Sequence, residues 1–484
     1  MRHSWATGYL LAYPIGLMGL TQMVFAILSL SVFRDHDETQ FFWPALAQLA
    51  IAVMFMRVAR GFDFSAVSFR GALLYAVVTW SVMGVFGAIP IASITGVSFV
   101  DAVFESVSAL TTTGATVLSG LDGLPASFLL YRQFLQWLGG LGVVIFVVAV
   151  MPMLNVGGLR LLKAETPGPI KDDKVAPRVA SSAHYLWLVY ISLTCACAVG
   201  YWCAGMTVFD AVAHSFSTVS TGGFSTRDAS LGHYHSSAIL WVANAFMALG
   251  AISFALHFRA VQQRRLRLYW HDEETRVFLL TIAVLSAVAA VILYRAGLAP
   301  SWTDALQLGV FHIISFITST GFAAGDYSSW GDAMLLLLLG TGYLGGCAGS
   351  TAGGNKFVRN ILFWRLVRAE LESLIHPRAL IIVKYQGKHV EDSVLRATMG
   401  FMALVVVSTL VISFALTLTG LDLKTALTAT GACLNVLGPA FGSFGSNFSS
   451  ASDGATTIMT AAMIIGRLEY FTVLALFVPS FWRY

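Results

Sequence analysis

Charge is scarce in this sequence. Asp, Glu, Lys and Arg make up 11% of it, against about 25% in an ordinary soluble domain, which excludes a chain that folds in water alone. Cysteine is scarce too. Cys195, Cys197, Cys203, Cys347 and Cys433 sit in or beside apolar runs, at spacings that suit neither a metal site nor a disulfide framework, and are expected to pack. No Ser/His/Asp, Cys/His or paired-carboxylate arrangement stands out, so no enzyme reading has support. The long apolar start lacks the small-residue cleavage site of a signal peptide and reads as a retained helix.

Hydrophobic residues make up 57% of the chain. Runs long enough to span a bilayer, roughly 20 residues each, fall at 8–33, 39–56, 71–95, 127–152, 183–206, 236–258, 277–297, 332–355, 397–419 and 455–480. Segments 57–70, 153–181, 257–276 and 356–396 hold 21 of the 29 Lys and Arg. The alternate connections, 97–126, 207–235, 298–332 and 420–454, hold only Arg227 and Lys424, against ten Asp and Glu. The positive-inside rule puts the basic set and both termini in the cytoplasm. Orientation alone accounts for such loops; docking of an acidic partner or anionic lipid is the alternative.

The acidic connections share a plan. Each opens with an apolar stretch too short to span and then breaks at a Gly flanked by polar residues. Aligned on that Gly they read SALTTTG (108–114), STVSTGG (217–223), SFITSTG (315–321) and ACLNVLG (432–438). Ser recurs six residues before the Gly in the first three copies. Asp lies 13 residues before it in the first two, which selects Gly223 over Gly222. The glycines are 109, 98 and 117 residues apart. The expectation is an all-α integral membrane protein: four parallel pseudo-repeats (helix, re-entrant pore helix, filter strand, helix) around an axis normal to the membrane. The divisions are 1–66 (an N-terminal helix pair), 67–155, 156–267, 268–378 and 379–484.

Non-helical backbone at membrane depth must be buried in protein or line water. Four such strands around an axis can present rings of carbonyls that replace a cation's hydration shell. Thr and Ser would add uncharged oxygens, and the negative C-terminal ends of the short helices favour a cation. The candidate cation ligands are Thr111, Thr112 and Gly114; Ser220, Thr221 and Gly223; Thr318, Ser319 and Gly321; and Asn435, Val436 and Gly438.

The third repeat continues into GTGYLGGCAGSTAGGNK (340–356), with seven glycines in 17 residues. Each interior Gly weakens a helix by about 1 kcal/mol relative to Ala, so this segment reads as a broken helix with a loop at pore level. Its literal match to a dinucleotide fingerprint, Gly340, Gly342 and Gly345, follows a membrane helix rather than a strand, and no nucleotide site is expected. Arg467 lies inside the last apolar run, where a charge faces a cavity or a partner. It reads either as a positive barrier in the pore or as a structural Arg paired with another helix; Glu469, two residues on, faces elsewhere. His214 and His312, in the short helices, are expected to be hydrogen-bonded packing residues.

With TTTGAT (111–116), STGGFST (220–226), TSTGF (318–322) and GGCAGSTAGGNK (345–356) on view, the sequence resembles the Trk/Ktr superfamily of potassium-uptake proteins, most closely its bacterial Trk-type membrane subunits, over essentially the whole chain. The resemblance implies one K+ pore per subunit, also open to Rb+, in a homodimer of the bacterial inner membrane. It implies a separate cytoplasmic nucleotide-binding TrkA-type regulatory ring and no nucleic acid. Gly at all four filter positions goes with potassium preference in that family. The resemblance makes the Gly-rich segment a gate, through Gly345, Gly346, Gly349, Ser350, Gly353, Gly354 and Lys356, with Arg467 as the barrier beside it. Channel flow of K+ is the leading expectation, and symport with H+ or Na+ the alternative. The fourth strand departs from the Thr-rich pattern at Asn435, Val436 and Pro439, so the filter is expected to be only pseudo-symmetric.

Overall fold

A computed structural model describes residues 2–58, 69–149, 175–379 and 381–483. The basic stretches 57–70 and 153–181 lie largely outside the described residues, as do the expected boundaries after residues 66 and 155. The chain begins with an antiparallel helix pair, α1 (Arg2–Leu28, prolonged by a π-helical turn Ser29–Phe33) and α2 (Glu38–Val58). Gly16 and Gly19 of α1 let it approach Ala52 and Leu49. A buried amide chain docks the pair onto α3 (Phe69–Thr95): Gln48 Nε2 donates to Gln22 Oε1 (2.8 Å), and Gln22 Nε2 donates to the Phe86 carbonyl (3.0 Å).

Four copies of one unit follow. The first is α3, pore helix α4 (Phe99–Leu110), a strand and α5 (Ala126–Ala149). The second is α6 (Val175–Cys203), α7 (Val208–Val219), a strand, then α8 (Ser237–Gly250) and α9 (Phe254–Gln263). After the short α10 (Arg267–His271), the third comprises α11 (Glu273–Arg295), α12 (Trp302–Ile317), a strand, α13 (Gly331–Leu344) and α14 (Phe357–Ile375). The fourth comprises α15 (Asp392–Thr417), α16 (Leu423–Leu434), a strand, α17 (Asp453–Arg467) and α18 (Tyr470–Leu474).

Each pore helix starts at a capping side chain that satisfies an otherwise free N–H. Ser98, Thr207 and Ser301 accept from the amides of Asp101, Asp210 and Asp304, and Asp422 accepts from that of Thr425. Sixteen residues separate the cap from the filter glycine in copies one, two and four, and twenty do so in copy three (Ser301 to Gly321). The third pore helix is one turn longer, so its Asp escapes the 13-residue spacing seen in the sequence.

Six described helices are long and apolar enough to cross a membrane, and two bent pairs raise the number to eight. The chain is a multi-pass membrane protein. The runs expected as single spans at 236–258 and 455–480 are bent instead, by 96° between α8 and α9 and by 114° after α17. Just before each bend a glycine touches the end of a pore helix. A Cβ on Gly250 would lie 3.0 Å from the Val219 carbonyl oxygen, and one on Gly466 would overlap that of Leu434; Gly139 of α5 meets Leu110 in the same way. Among the described residues one small β-hairpin stands beside the helices. β1 (Lys384–Tyr385) and β2 (Lys388–His389) form a hairpin between α14 and α15, turning at Gln386 and Gly387, both at positive φ.

Candidate ion filter and gate

The four strands share one backbone path. The residue two before the glycine and the glycine itself have positive φ in every copy: Thr112 (58°) and Gly114 (81°), Thr221 (55°) and Gly223 (76°), Ser319 (53°) and Gly321 (82°), Val436 (56°) and Gly438 (89°). The residues before and between them do not. Alternating hand turns successive peptide groups to the same side, so that carbonyl oxygens of one strand can line up in a row. The second copy uses Gly223, the choice made from the Asp spacing, since Gly222 has ordinary φ.

The strands close on one another. A Cβ placed on Gly114 would overlap the Gly222 carbonyl oxygen, and one on Gly223 that of Thr320. On Gly321 it would overlap the Leu437 oxygen, and on Gly438 it would meet that of Thr113. Each glycine thus abuts the next strand's preceding carbonyl, and the order runs one to two to three to four and back to one. Glycine is required twice over, by left-handed φ and by contact. A cavity of about 750 Å³ opens on this ring, lined by all four glycines with Asp228 and Asp326. The two cations of the acidic connections are both paired: Arg227 with Asp122 (3.1 Å) and Asp210 (3.5 Å), and Lys424 with Asp332 (3.1 Å).

In two strands the Thr hydroxyls make local hydrogen bonds. Thr111 Oγ1 donates to Val107 O and Thr318 Oγ1 to Ile314 O (both 2.7 Å), while the Thr113 and Thr320 hydroxyls bond to those of Thr111 and Thr318. These hydroxyls thus spend their protons on one another and on carbonyls at the pore-helix ends. The recurrent Ser holds the far end. Ser108 Oγ donates to Ala115 O (2.6 Å) and Ser315 Oγ to Phe322 O (2.7 Å). The histidines do pack: His214 bonds Asp210 O and Ser225 Oγ, and His312 bonds Leu308 O.

Below the ring, helix α13 stops at Gly345, which adopts a conformation open only to glycine (φ 74°, ψ −172°). Residues 346–356 fold as a compact loop against the filter's lower end. Gly353 N donates to Ser319 Oγ (2.5 Å) and Gly354 N to Asn435 O (3.1 Å). Thr351 Oγ1 donates toward Val219 O and Gly250 O (3.0 Å each) and meets Thr221 Oγ1 at 3.3 Å. Gly346, Gly349 and Ser350 form the turn beside α8: Cys347 N donates to Ala251 O, Gly349 O accepts from Phe254 N, and Ser350 Oγ donates to Cys347 O. Lys356 closes the loop by donating from Nζ to Ala352 O. Arg467, at the end of α17, donates to Thr351 O (3.0 Å) and Gly139 O (3.3 Å). Glu469 turns away, to Arg359 (2.7 Å).

Residues 45–484 match the family model for TrkH, a cation transport protein. This chain belongs to the TrkH family. It is 45% identical over 417 residues to the Trk system potassium uptake protein TrkH of Halomonas elongata, covering 86% of each chain. It is 39% identical over 454 residues to the TrkH of Escherichia coli K12, covering 93% of this chain and 94% of that one. The crystal structure of the potassium transporter TrkH from Vibrio parahaemolyticus superposes with a TM-score of 0.91 at 37% identity, over 99% of both chains.

Several residues around the filter of this TrkH-family chain escaped the sequence reading. Glu105 and Arg132 form a fully buried ion pair behind strand one, where Glu105 also accepts from Thr116 Oγ1 (3.0 Å) and Val117 N (3.1 Å). Arg132 lies 4.1 Å over the Phe224 ring of strand two. Glu274 of α11 accepts from Ala348 N (2.8 Å) and Val358 N (2.9 Å), anchoring the Gly-rich loop at two points. Polar residues inside apolar helices are the signal for all three, but a sequence does not say what they hold.

Proposed function

We propose that this chain is the conducting subunit of a potassium-uptake system, passing K+, and Rb+ in its place, through the carbonyl ring of residues 111–114, 220–223, 318–321 and 435–438. The observation that carries the reading is the closed ring: four strands of identical handedness, each glycine packed on the next strand's carbonyl. Such a ring offers uncharged oxygens at fixed spacing, which suits a monovalent cation that must bind and leave. The family match and the printed names of the relatives support potassium as the ion.

Potassium enters from the acidic vestibule, drawn by the carboxylates, and moves inward with the membrane potential, which supplies about 2.3 kcal/mol per 100 mV. The loop 345–356 and Arg467 close the path beneath the filter. The protein lies in the bacterial inner membrane with both termini cytoplasmic, works as a homodimer, and takes its gating signal from a TrkA-type nucleotide-binding ring docked on its basic face.

The test is rubidium-86 uptake into sealed vesicles holding the purified chain, with K+ or Na+ competing, for wild type and Gly114→Ser. Strong competition by K+, weak competition by Na+ and a smaller preference in the variant are expected. Uptake indifferent to the substitution, with the partner ring present, overturns the carbonyl-filter reading.

A further inference from the structure

Strand two of the filter is held by a repeat other than its own. Its Ser217 occupies the place of Ser108 and Ser315, yet the Ser217 hydroxyl has no partner among the described residues. The carbonyl it would tie, Phe224 O, accepts instead from Gln133 Nε2 of α5 (3.1 Å). One turn along α5, Gln136 grips the same segment twice: Nε2 donates to Gly222 O (2.6 Å), and Oε1 accepts from Phe224 N (3.1 Å). Gln136 is fully buried.

Gly222 O is the strand-two member of the ring of carbonyls, Thr113, Gly222, Thr320 and Leu437, on which the filter glycines pack. The double glycine of the second motif follows from this contact. A Cβ on Gly222 would lie 2.5–2.8 Å from the Gln136 amide atoms, so Gln136 fills the place taken in strands one and three by Thr113 and Thr320. The residues at the matching place in repeats two and four, three before Gly250 and Gly466, are the buried Met247 and Met463, which cannot donate.

We propose that Gln136 is a specificity-determining positioning residue: reaching in from repeat one, its carboxamide sets the Gly222 carbonyl in the cation-binding ring. The inference rests on reading that ring as the K+ filter. A carbonyl fixed by a side-chain donor keeps its distance from the axis when a smaller ion would draw the ring inward. Gln136→Met frees Gly222 O and leaves Phe224 N unpaired.

The test measures equilibrium cation binding, which needs no open gate: stabilisation of the purified full-length protein against heat by KCl and by NaCl. Loss of one buried hydrogen bond at a ring oxygen corresponds to about a tenfold loss of K+ over Na+ preference in Gln136→Met. A wild type with no K+ preference overturns the filter reading itself. A wild type with the preference and a folded Gln136→Met that keeps it overturns this inference alone. Two further variants decide the matter if Gln136→Met does not fold. Gly222→Thr collides with Gln136 and is expected to lose the preference. Gln136→Ala with Gly222→Thr relieves the collision without restoring the donor to Gly222 O, so it is expected to fold and still to lack the preference. A double variant with the wild-type preference refutes the assignment.

Discussion

Ser319→Ala is the sharpest perturbation of the gate, because it removes one oxygen and nothing else. Ser319 is fully buried, and its hydroxyl accepts from the Gly353 amide (2.5 Å) at the point where the loop meets strand three. Ser and Ala bear the same backbone strain at φ 53°, so the variant isolates the hydrogen bond. Leaving a buried N–H unpaired destabilises the docked loop by about 1–3 kcal/mol. A displaced loop exposes that N–H to pore water and loses nothing. The ratio of closed to open protein therefore falls by about tenfold for each 1.4 kcal/mol of that difference. Rubidium-86 uptake into vesicles holding the chain without its partner should rise by about tenfold when the closed state dominates the wild type. Ser108→Ala is the control, since it removes a hydroxyl that ties Ala115 O and touches no part of the loop; uptake should not rise. A folded Ser319→Ala protein with wild-type uptake, or an equal rise in Ser108→Ala, refutes the reasoning.

Arg467→Gln keeps a donor for Thr351 O but removes the charge, and partner-free rubidium uptake should increase; unchanged uptake means the guanidinium is no barrier. Glu105→Gln strands a buried guanidinium and should lower stability by about 3–5 kcal/mol, read as a large drop in thermal midpoint; Glu105→Gln with Arg132→Met should recover part of it. Desolvation pushes the Asp122 carboxyl up, but hydrogen bonds from Arg227 and the Asp228 amide outweigh it and hold the group below its ordinary 3.8. A depressed carboxylate contributes fully above its unfolded value and loses that contribution only as pH falls through the lower folded one. The clasp between the outer loops of repeats one and two should therefore stay intact from neutral pH down to 3.8, and a titration of uptake abolished by Asp122→Asn in that interval contradicts this.

What the sequence disclosed was whatever repeats. Glycine at one place in four copies, Ser six residues earlier and a polar strand after a short apolar stretch were enough to locate the ring. The Asp spacing even separated Gly223 from Gly222. That spacing failed in the third copy because an added helical turn moves a cap without disturbing the strand. Side-chain direction was not legible. Thr111 and Thr318 are only polar letters in a string, and nothing there says that each hydroxyl reaches back to the carbonyl four residues earlier. The bends were hidden because hydropathy sums residues and is blind to axis direction. Gly250 and Gly466 read as ordinary small residues of a packed helix, although each is small because a pore-helix carbonyl fills its Cβ position.

A pore made from one chain can give each quarter a different duty, which a ring of four identical subunits cannot. The filter level tolerates little divergence, since every glycine there is fixed by its neighbour's carbonyl. One layer lower, the repeats part company. Gly139, Gly250 and Gly466 mark the same contact in repeats one, two and four, and the residues after them are Gly140, Ala251 and Arg467. Only the fourth carries a charge, while the third repeat supplies the loop. Arg467 joins these parts, donating to Thr351 O of the loop and to Gly139 O of repeat one. Both partners are neutral carbonyls, and among the described residues no carboxylate pairs with it. A cation passing about 4 Å away would meet a repulsion near 4 kcal/mol at an effective dielectric of 20, or roughly a thousandfold in rate. Four such arginines would close the pore permanently. One arginine bonded to Thr351 O of the loop ties any barrier it makes to the loop's position, and the Ser319→Ala and Arg467→Gln uptake measurements test that link.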